Sequence, residues 1–264
     1  MAHAGRMRFL SDLLACLRFY SRLPVPVLRW EAEPHAMLDF GHAIRALPLA
    51  GLIIAAPAAA LLFGAAKILP AEIAAALALT LFVITTGAFH EDGLADTADG
   101  LGGGRSLERK LEIMRDSRIG TFGGAALVLS LLLRWAALTA LLKMGPGLAA
   151  CVMLGAAGLS RWLGLMPVFL LPAARNDGAA FAAARPRPLP LALGGLIALA
   201  LLALPFWAGV PAVRLALATV LAGIAALAMT RISKAQIKGQ TGDIAGAAQQ
   251  LAEITFLVTI LLRI

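Results

Sequence analysis

The acidic residues of this chain are concentrated in one short segment. Seven of the 15 Asp and Glu residues lie between residues 91 and 116. Asp92, Asp96 and Asp99 are spaced i, i+4 and i+7, so on a helix their carboxylates fall on one face within an arc of about 60°. Like charges on one face repel, and a cation would relieve the repulsion. Because hard oxygen ligands suit Mg²⁺ or Mn²⁺, the spacing favours a divalent metal site.

A basic segment follows the acidic one. Its Arg115 and Arg118 could neutralise phosphate oxygens through bidentate hydrogen bonds. A carboxylate-bound metal beside arginines is suited to phosphoryl transfer. The alternative is a solvated loop whose charges do nothing but stay in water. His90 is a candidate general base or metal ligand, and a simple interfacial histidine is an equal alternative.

Further polar residues interrupt the apolar segments downstream. Asp243, with Lys234 and Lys238 nearby, could complete a metal site or hold a substrate hydroxyl while the lysines pair with phosphate. Helix capping is the alternative for Asp243. Arg134 and Arg161 cannot cheaply face lipid, so each either binds an anionic substrate or forms an ion pair, for example with Glu253. Arg161 is the better binding candidate, because Arg134 could snorkel.

The composition excludes a water-soluble single domain. Hydrophobic residues make up 60% of the 264 residues and charged residues only 14%, against about 45–50% and about 25% in ordinary soluble domains. Mean hydropathy is +0.85. The chain therefore predicts an all-α, polytopic transmembrane helical bundle that forms one domain over residues 1–264.

About seven spans are predicted from apolar runs of bilayer length. They cover residues 44–66, 71–90, 119–142, 147–171, 189–208, 211–230 and 243–262. The last is the weakest, since Asp243, Gln249, Gln250 and Glu253 require it to pack inside the bundle or to start later. Within the N-terminal region 1–43, residues 8–28 are amphipathic and end at Pro24 and Pro26, which predicts an interfacial helix.

The basic residues are distributed unevenly over the connections. One set of connections holds sixteen Lys and Arg residues and the other set holds four. This asymmetry places the N-terminus and the loops 91–118, 173–188 and 231–242 in the cytoplasm. The net charge of +8 is therefore read as topology and not as a sign of nucleic acid binding. Cys16 and Cys151 lack the spacing of a disulfide scaffold or zinc site.

Four blocks of the sequence resemble the cobalamin synthase family, the adenosylcobinamide-GDP ribazoletransferases. The family's motifs occur in order and span nearly the whole chain. The blocks are Phe19-Tyr-Ser-Arg-Leu-Pro-Val-Pro26, Phe89-His-Glu-Asp-Gly-Leu-Ala-Asp-Thr-Ala-Asp-Gly-Leu101, Lys110-Leu-Glu-Ile-Met-Arg-Asp-Ser-Arg-Ile-Gly-Thr-Phe-Gly123 and Gly239-Gln-Thr-Gly-Asp-Ile-Ala-Gly-Ala247.

The resemblance implies a Mg²⁺-dependent phosphotransferase of the bacterial or archaeal inner membrane. Such an enzyme joins adenosylcobinamide-GDP to alpha-ribazole or its 5'-phosphate, a last step of B12 coenzyme assembly. It forms adenosylcobalamin or its 5'-phosphate and releases GMP. Its partners are therefore two small-molecule substrates and the lipid bilayer.

The resemblance also implies roles for individual residues. Asp92, Asp96 and Asp99 match the acidic motif that would hold metal and diphosphate. Arg115, Asp116 and Arg118 match the Arg-Asp-Ser-Arg block, and Asp243 matches the late Thr-Gly-Asp motif. Asp243, then Glu91, then His90 are the candidates for the base that accepts the ribazole proton. Lys238 and Arg161 join the arginines as candidates for contacts to anionic substrate groups.

Two other functions are weighed against this one. A CDP-alcohol phosphotransferase also combines a membrane bundle with spaced aspartates, but Asp96 follows Asp92-Gly-Leu-Ala95 where that family's pattern has Arg. A secondary transporter would use Arg161 and Glu253 as an ion or substrate path. Transporters commonly carry internal repeats, and none is apparent in this sequence.

Overall fold

The computed structural model describes residues 2–29, 31, 39–175 and 185–263, with side chains from residue 8 onward. Apart from an isolated bridge between Ala173 and Gln240, the regular structure over these ranges is helical. The predicted loop 173–188 lies partly outside the described residues. The helices are α1 (Ala2–Tyr20), α2 (Leu47–Ala65), α3 (Ala71–Thr86), α4 (Phe89–Gly103), α5 (Leu107–Ile113), α6 (Thr121–Met144), α7 (Pro146–Leu163), α8 (Met166–Leu170), α9 (Pro188–Leu201), α10 (Ala203–Trp207), α11 (Ala212–Ile237) and α12 (Gly242–Ile260), with a 3-10 turn at Ala43–Ala46 before α2.

Five described helical stretches are long and apolar enough to cross a membrane. They are Ala43–Ala65, Thr121–Met144, Pro146–Leu170, Pro188–Trp207 and Ala212–Ile237. Each matches one of the seven predicted spans, so the multi-pass helical bundle is confirmed. A sixth span results if α3 and α4, which are bent by 85°, cross together. The predicted span 243–262 corresponds to α12, whose polar residues lower its hydropathy below that of the five.

The bend between α3 and α4 has a local cause in the backbone. Gly87 and Ala88 both adopt left-handed conformations, with φ of 66° and 56°. Alanine enters this region at a cost of about 1–2 kcal/mol, so the surrounding structure must hold it there. The backbone N–H of Arg22 donates to the carbonyl of Thr85 at 2.7 Å, and the Arg22 side chain lies against Gly87. The segment after α1 therefore supports the bend that turns the acidic residues into a separate helix.

The segment 91–118, predicted as a catalytic loop, is largely helical. Its acidic part lies in α4, and its basic part lies in α5 and the turn that follows. Ser106 caps α5, because its side chain accepts a hydrogen bond from the N–H of Arg109 at 3.2 Å. Because the acidic part of the segment is helical, the carboxylates of α4 occupy fixed positions along that helix.

α12 occupies the centre of the bundle and packs against α4, α6, α7 and α11. Its polar side chains face protein, as expected for a helix that packs inside the bundle. Arg134 of α6 forms ion pairs with Glu91 at 2.6 Å and with Glu253 at 3.1 Å. The Gln249 amide donates to Ser160 at 2.9 Å and to Glu253 at 2.7 Å. This buried polar network satisfies charges that would otherwise be costly in an apolar interior.

Connections that were predicted to share one side of the membrane contact one another. Lys110 of α5 donates to Gln236 near the end of α11 at 2.7 Å. The backbone N–H of Gln240 donates to Pro172, and that of Ala174 donates to Gln240, both at 2.8 Å. Lys143, from the other set of connections, pairs with Glu72 in the first turn of α3 at 2.8 Å. The bundle thus has one end at which the 104–120, 172–175 and 238–241 connections lie.

The N-terminal helix α1 packs against the 3-10 turn and α2. Cys16 and Tyr20 are buried in this interface, and Asp12 forms an ion pair with Arg45 at 2.7 Å. Both cysteines are free thiols. The helix ends at Tyr20, before the prolines that were predicted to stop it.

Candidate active site

α4 and α12 cross at two glycines. A Cβ atom added at Gly93 would lie 3.0 Å from the carbonyl oxygen of Asp243 and 3.4 Å from Gly246. Because neither helix carries a side chain at the crossing, their backbones approach closely. The crossing brings Asp92 and Asp96, on either side of Gly93, next to the first turn of α12. Residues separated by about 150 positions in the chain thereby form one acidic surface.

The three carboxylates at this crossing remain accessible. Asp92 is exposed, and Asp96 and Asp243 are partly buried. Asp96 is close enough to Asp92 and Asp243 for their negative charges to act on it. We name Asp92, Asp96 and Asp243 the crossing carboxylates.

The crossing carboxylates offer the donors that Mg²⁺ prefers, but the site is open. Across the described residues, no three His, Cys, Asp or Glu side chains are already gathered around a common metal position. Mg²⁺ usually takes one or two protein carboxylates and fills its octahedron with water and substrate phosphate. The donor set therefore fits Mg²⁺ held partly by substrate.

Asp99 has a different environment from the one that its spacing predicted. Its carboxylate accepts hydrogen bonds from the backbone N–H groups of Gly120 at 2.7 Å and Gly123 at 2.8 Å. Asp99 thus caps the N-terminus of α6, where backbone N–H groups lack partners within the helix. Because both carboxylate oxygens already accept hydrogen bonds, Asp99 is not among the proposed metal ligands.

Asp243 is held by two neighbours. The Thr241 hydroxyl donates to the Asp243 carboxylate at 3.1 Å, and the Arg175 guanidinium lies 3.6 Å from it. Thr241 also caps α12, since its oxygen accepts from the N–H of Ile244 at 3.3 Å. Capping is therefore the role of Thr241, and it does not account for the carboxylate of Asp243. Arg175 was not singled out in the sequence, where its only signal was its place in a basic connection.

The other two candidates for the base, Glu91 and His90, are buried and contact other side chains. Glu91 is buried and paired with Arg134, so it belongs to the buried polar network. His90 is buried as well, and its ring stacks against Tyr20 with centroids 5.7 Å apart and planes 7° from parallel. Of the three candidates, Asp243 alone combines partial exposure with a position beside the other crossing carboxylates.

The predicted phosphate-binding cations lie at the exposed end of the bundle. Arg118 forms a bidentate pair with Asp116, with a shortest distance of 2.6 Å. This hydrogen bonding lowers the pKa of Asp116 to about 2, so the carboxylate is ionised over the pH range of enzyme assays. Arg115 and Lys238 are also exposed. These side chains are positioned for solvent access, and the structure does not bring Arg118 into the crossing itself.

Arg161 is buried in the bundle, and Arg134 is buried close by. Arg134 forms ion pairs with Glu91 and Glu253. Arg161 instead donates from Nη1 to the carbonyl of Ala157 at 3.1 Å. The Nε and Nη2 atoms of Arg161 have no hydrogen-bond partner within the described chain. Arg161 lines a cavity beside the crossing, together with the aromatic rings of Phe19, Tyr20, Phe40 and Phe89. Patterns within one segment do not reveal this grouping, because its members come from distant segments.

Comparison with known proteins gives consistent matches along the chain. Residues 12–261 match the family described as Cobalamin-5-phosphate synthase. The chain is 50% identical over 259 residues to the adenosylcobinamide-GDP ribazoletransferase of Azorhizobium caulinodans, with 97% of each chain covered. It is 48% identical to that of Xanthobacter autotrophicus, with 97% of each covered, and 43% identical to that of Sinorhizobium medicae, with 97% and 98% covered. No solved structure matches the chain significantly.

Proposed function

The chain belongs to the cobalamin-5-phosphate synthase family, and we propose that the crossing of α4 and α12 is where it carries out the ribazoletransferase reaction. It transfers the adenosylcobinamide phosphate group from adenosylcobinamide-GDP to alpha-ribazole or its 5'-phosphate and releases GMP. The observation that carries the placement is the close approach at Gly93, which sets Asp92, Asp96 and Asp243 side by side.

The reaction exchanges one phosphorus–oxygen bond for another. The ribazole hydroxyl attacks the phosphorus attached to cobinamide, and the bond from that phosphorus to the oxygen of GMP breaks. The hydroxyl proton needs an acceptor, and Asp243 is the proposed base. Its carboxylate is accessible and lies among acidic neighbours, while Arg175 and Thr241 hold its position. A base must lie within hydrogen-bond reach of the proton that it removes.

Asp92 and Asp96 are the proposed ligands of Mg²⁺. A bound Mg²⁺ would neutralise diphosphate charge and lower the barrier to phosphoryl transfer. Two carboxylates one helical turn apart suffice for an ion that keeps several water and phosphate ligands. The mutual repulsion of the crossing carboxylates supports a cation at this place.

Arg115, Arg118 and Lys238 are proposed to contact the phosphates of the donor. The first two lie on the connection after α5, and Lys238 directly follows α11, so all three belong to the end of the bundle that holds the crossing. Guanidinium groups can bind phosphate oxygens through two parallel hydrogen bonds. Asp116 holds Arg118 until a phosphate competes for it.

The crossing is proposed to face the cytoplasm in the inner membrane. The connections rich in Lys and Arg lie at the end of the bundle where α4 and α12 cross, and such connections stay on the cytoplasmic side. Their mutual contacts, such as that between Lys110 and Gln236, support a common side for all of them. GMP would accordingly be released into the cytoplasm.

A GMP-release assay tests this proposal directly. Purified protein is incubated with adenosylcobinamide-GDP, alpha-ribazole and Mg²⁺, and the same mixture is prepared with chelator. We expect GMP only when the divalent ion is present, with activity restored when Mg²⁺ is added in excess. Full activity in chelator would refute the metal assignment. Release of CMP from CDP-alcohol substrates, or corrinoid transport without conversion, would refute the reaction itself.

A further inference from the structure

A cavity lies beside the crossing carboxylates. It is bounded by the end of α1, the start of α4, the α7–α8 region and the first turns of α12, and its volume is about 70 Å³. This is room for about five water molecules that a guest could displace. The lining is mainly apolar, and among the described residues it includes no Asp or Glu side chain. A cationic guest would therefore find no carboxylate partner in the cavity wall.

Aromatic rings line this cavity in a mutually supported arrangement. Phe19 meets Phe40 and Phe89 edge to face, each with centroids 5.5 Å apart. Phe89 in turn meets Tyr20 edge to face at 5.6 Å. Rings held by one another are fixed before a guest arrives, and they present faces and edges suited to stacking against another aromatic ring.

Arg161 supplies a cationic group to the cavity, whose wall also includes the polar side chains of His90 and Gln249. It is only 2% exposed, and its Nε and Nη2 groups find no acceptor in the part of the chain that the structure describes. A buried donor without an acceptor is unfavourable, because it has lost its hydrogen bonds to water. A guest that brings an acceptor would remove this cost, and the donor would fix the orientation of the guest.

The charges around Arg161 favour a guest without net charge. Glu91 and Glu253 both act electrostatically on Arg161. Together with Arg134, these side chains form a set of two cations and two anions. A phosphate in the cavity would upset this balance. A neutral aromatic ring with one acceptor nitrogen would not.

We propose that this cavity binds the aromatic base of the acceptor nucleoside, with a ring nitrogen accepting a hydrogen bond from Arg161. The inference rests on the proposed function and names the place of one substrate. Gly242 lines the cavity and directly precedes Asp243. A nucleoside whose aromatic ring occupies the cavity would therefore have its ribose near Asp243, the proposed proton acceptor. Adenosylcobinamide-GDP, the phosphoryl donor, would then lie on the side of Asp92 and Asp96.

The test measures each substrate separately in the full-length protein. Binding of alpha-ribazole alone is measured by calorimetry, and KM values for alpha-ribazole and for adenosylcobinamide-GDP are taken from GMP release. The variants are Phe40→Ala, Arg161→Gln and Arg161→Lys, where the last keeps the charge but loses the planar fork. Phe256→Ala is the control, because Phe256 is equally buried but lies outside the cavity.

We expect Phe40→Ala and both Arg161 variants to raise the Kd and KM for alpha-ribazole at least tenfold. The KM for adenosylcobinamide-GDP should stay within twofold, and Phe256→Ala should change neither constant by more than twofold. An unchanged Kd for alpha-ribazole in Phe40→Ala and Arg161→Lys, or an increase confined to the donor KM, would overturn the inference. If the wild type releases no GMP but binds alpha-ribazole in a Phe40-dependent manner, the proposed function fails while the cavity assignment stands.

Discussion

Replacing Arg134 tests whether the buried polar network holds the bundle together. Arg134 is 1% exposed and pairs with two carboxylates that are themselves nearly inaccessible, Glu91 and Glu253. Arg134→Met removes the shared cation and leaves two anions in an apolar interior. Removal of one partner of a buried ion pair costs about 3–5 kcal/mol. At about 2–4 °C per kcal/mol for a chain of this size, the melting temperature should fall by roughly 6–20 °C.

The assay is thermal unfolding of the detergent-purified protein, followed by the fraction that remains monodisperse after heating. Lys143→Met is the matched control, because the Lys143–Glu72 pair has side chains that are 63% and 44% exposed. Exposed ion pairs contribute little to stability, so this variant should melt within about 4 °C of wild type.

A double variant separates charge burial from lost packing. Arg134→Met combined with Glu91→Gln removes one cation and one anion, and Arg161 and Glu253 remain as one cation and one anion. It should recover a substantial part of the stability lost in Arg134→Met, since the buried charges balance again. Wild-type melting of Arg134→Met, or a double variant that is no more stable than Arg134→Met, would refute this explanation of the network.

Three further predictions concern the crossing and its surroundings. Gly93→Leu should reduce GMP release at least 100-fold, because a side chain at the crossing must push α12 away from α4; wild-type rates in this variant would contradict the close approach. Asp99→Asn should retain activity within about fivefold. Its free energy of unfolding should fall by about 1 kcal/mol, as expected for a weakened helix cap. Complete loss of turnover in a stable protein would restore Asp99 as a metal ligand. Arg175→Gln should lower kcat for GMP release more than it changes either KM, and an unchanged kcat would show that Arg175 does not support Asp243.

The helical bundle follows from the sequence because bilayer-spanning segments are a matter of length and composition. Four of the predicted spans agree with the structure to within two residues at each end, and a fifth, predicted for residues 211–230, runs on to Ile237. The last helix was the weakest of the predicted spans, since Gln249, Gln250 and Glu253 are compatible with a membrane span only when polar partners face them. The structure provides those partners on α6 and α7, and periodicity within one segment cannot reveal them.

The candidate site was only partly predictable for the same reason. The spacing of Asp92, Asp96 and Asp99 places three carboxylates on one helical face, but spacing does not show what each one meets. Asp99 meets the first N–H groups of α6, and Asp243 comes from the far end of the chain to lie beside the remaining two. Arg175 and the aromatic cavity depend on contacts between distant segments. Local patterns therefore predict a candidate chemistry, and tertiary contacts decide which side chains lie together.

The rate of GMP release by Asp96→Asn is the most direct test of the crossing as the catalytic centre. Glu108→Gln, an exposed substitution on neighbouring α5, serves as the control for a lost carboxylate at the same end of the bundle. With saturating adenosylcobinamide-GDP, alpha-ribazole and Mg²⁺, Asp96→Asn should be slower than wild type by at least a factor of about 100, as is typical when a group that stabilises developing charge is removed. Its melting temperature should match that of Glu108→Gln, whose rate should equal that of wild type. A folded Asp96→Asn protein that releases GMP at the wild-type rate would contradict the account.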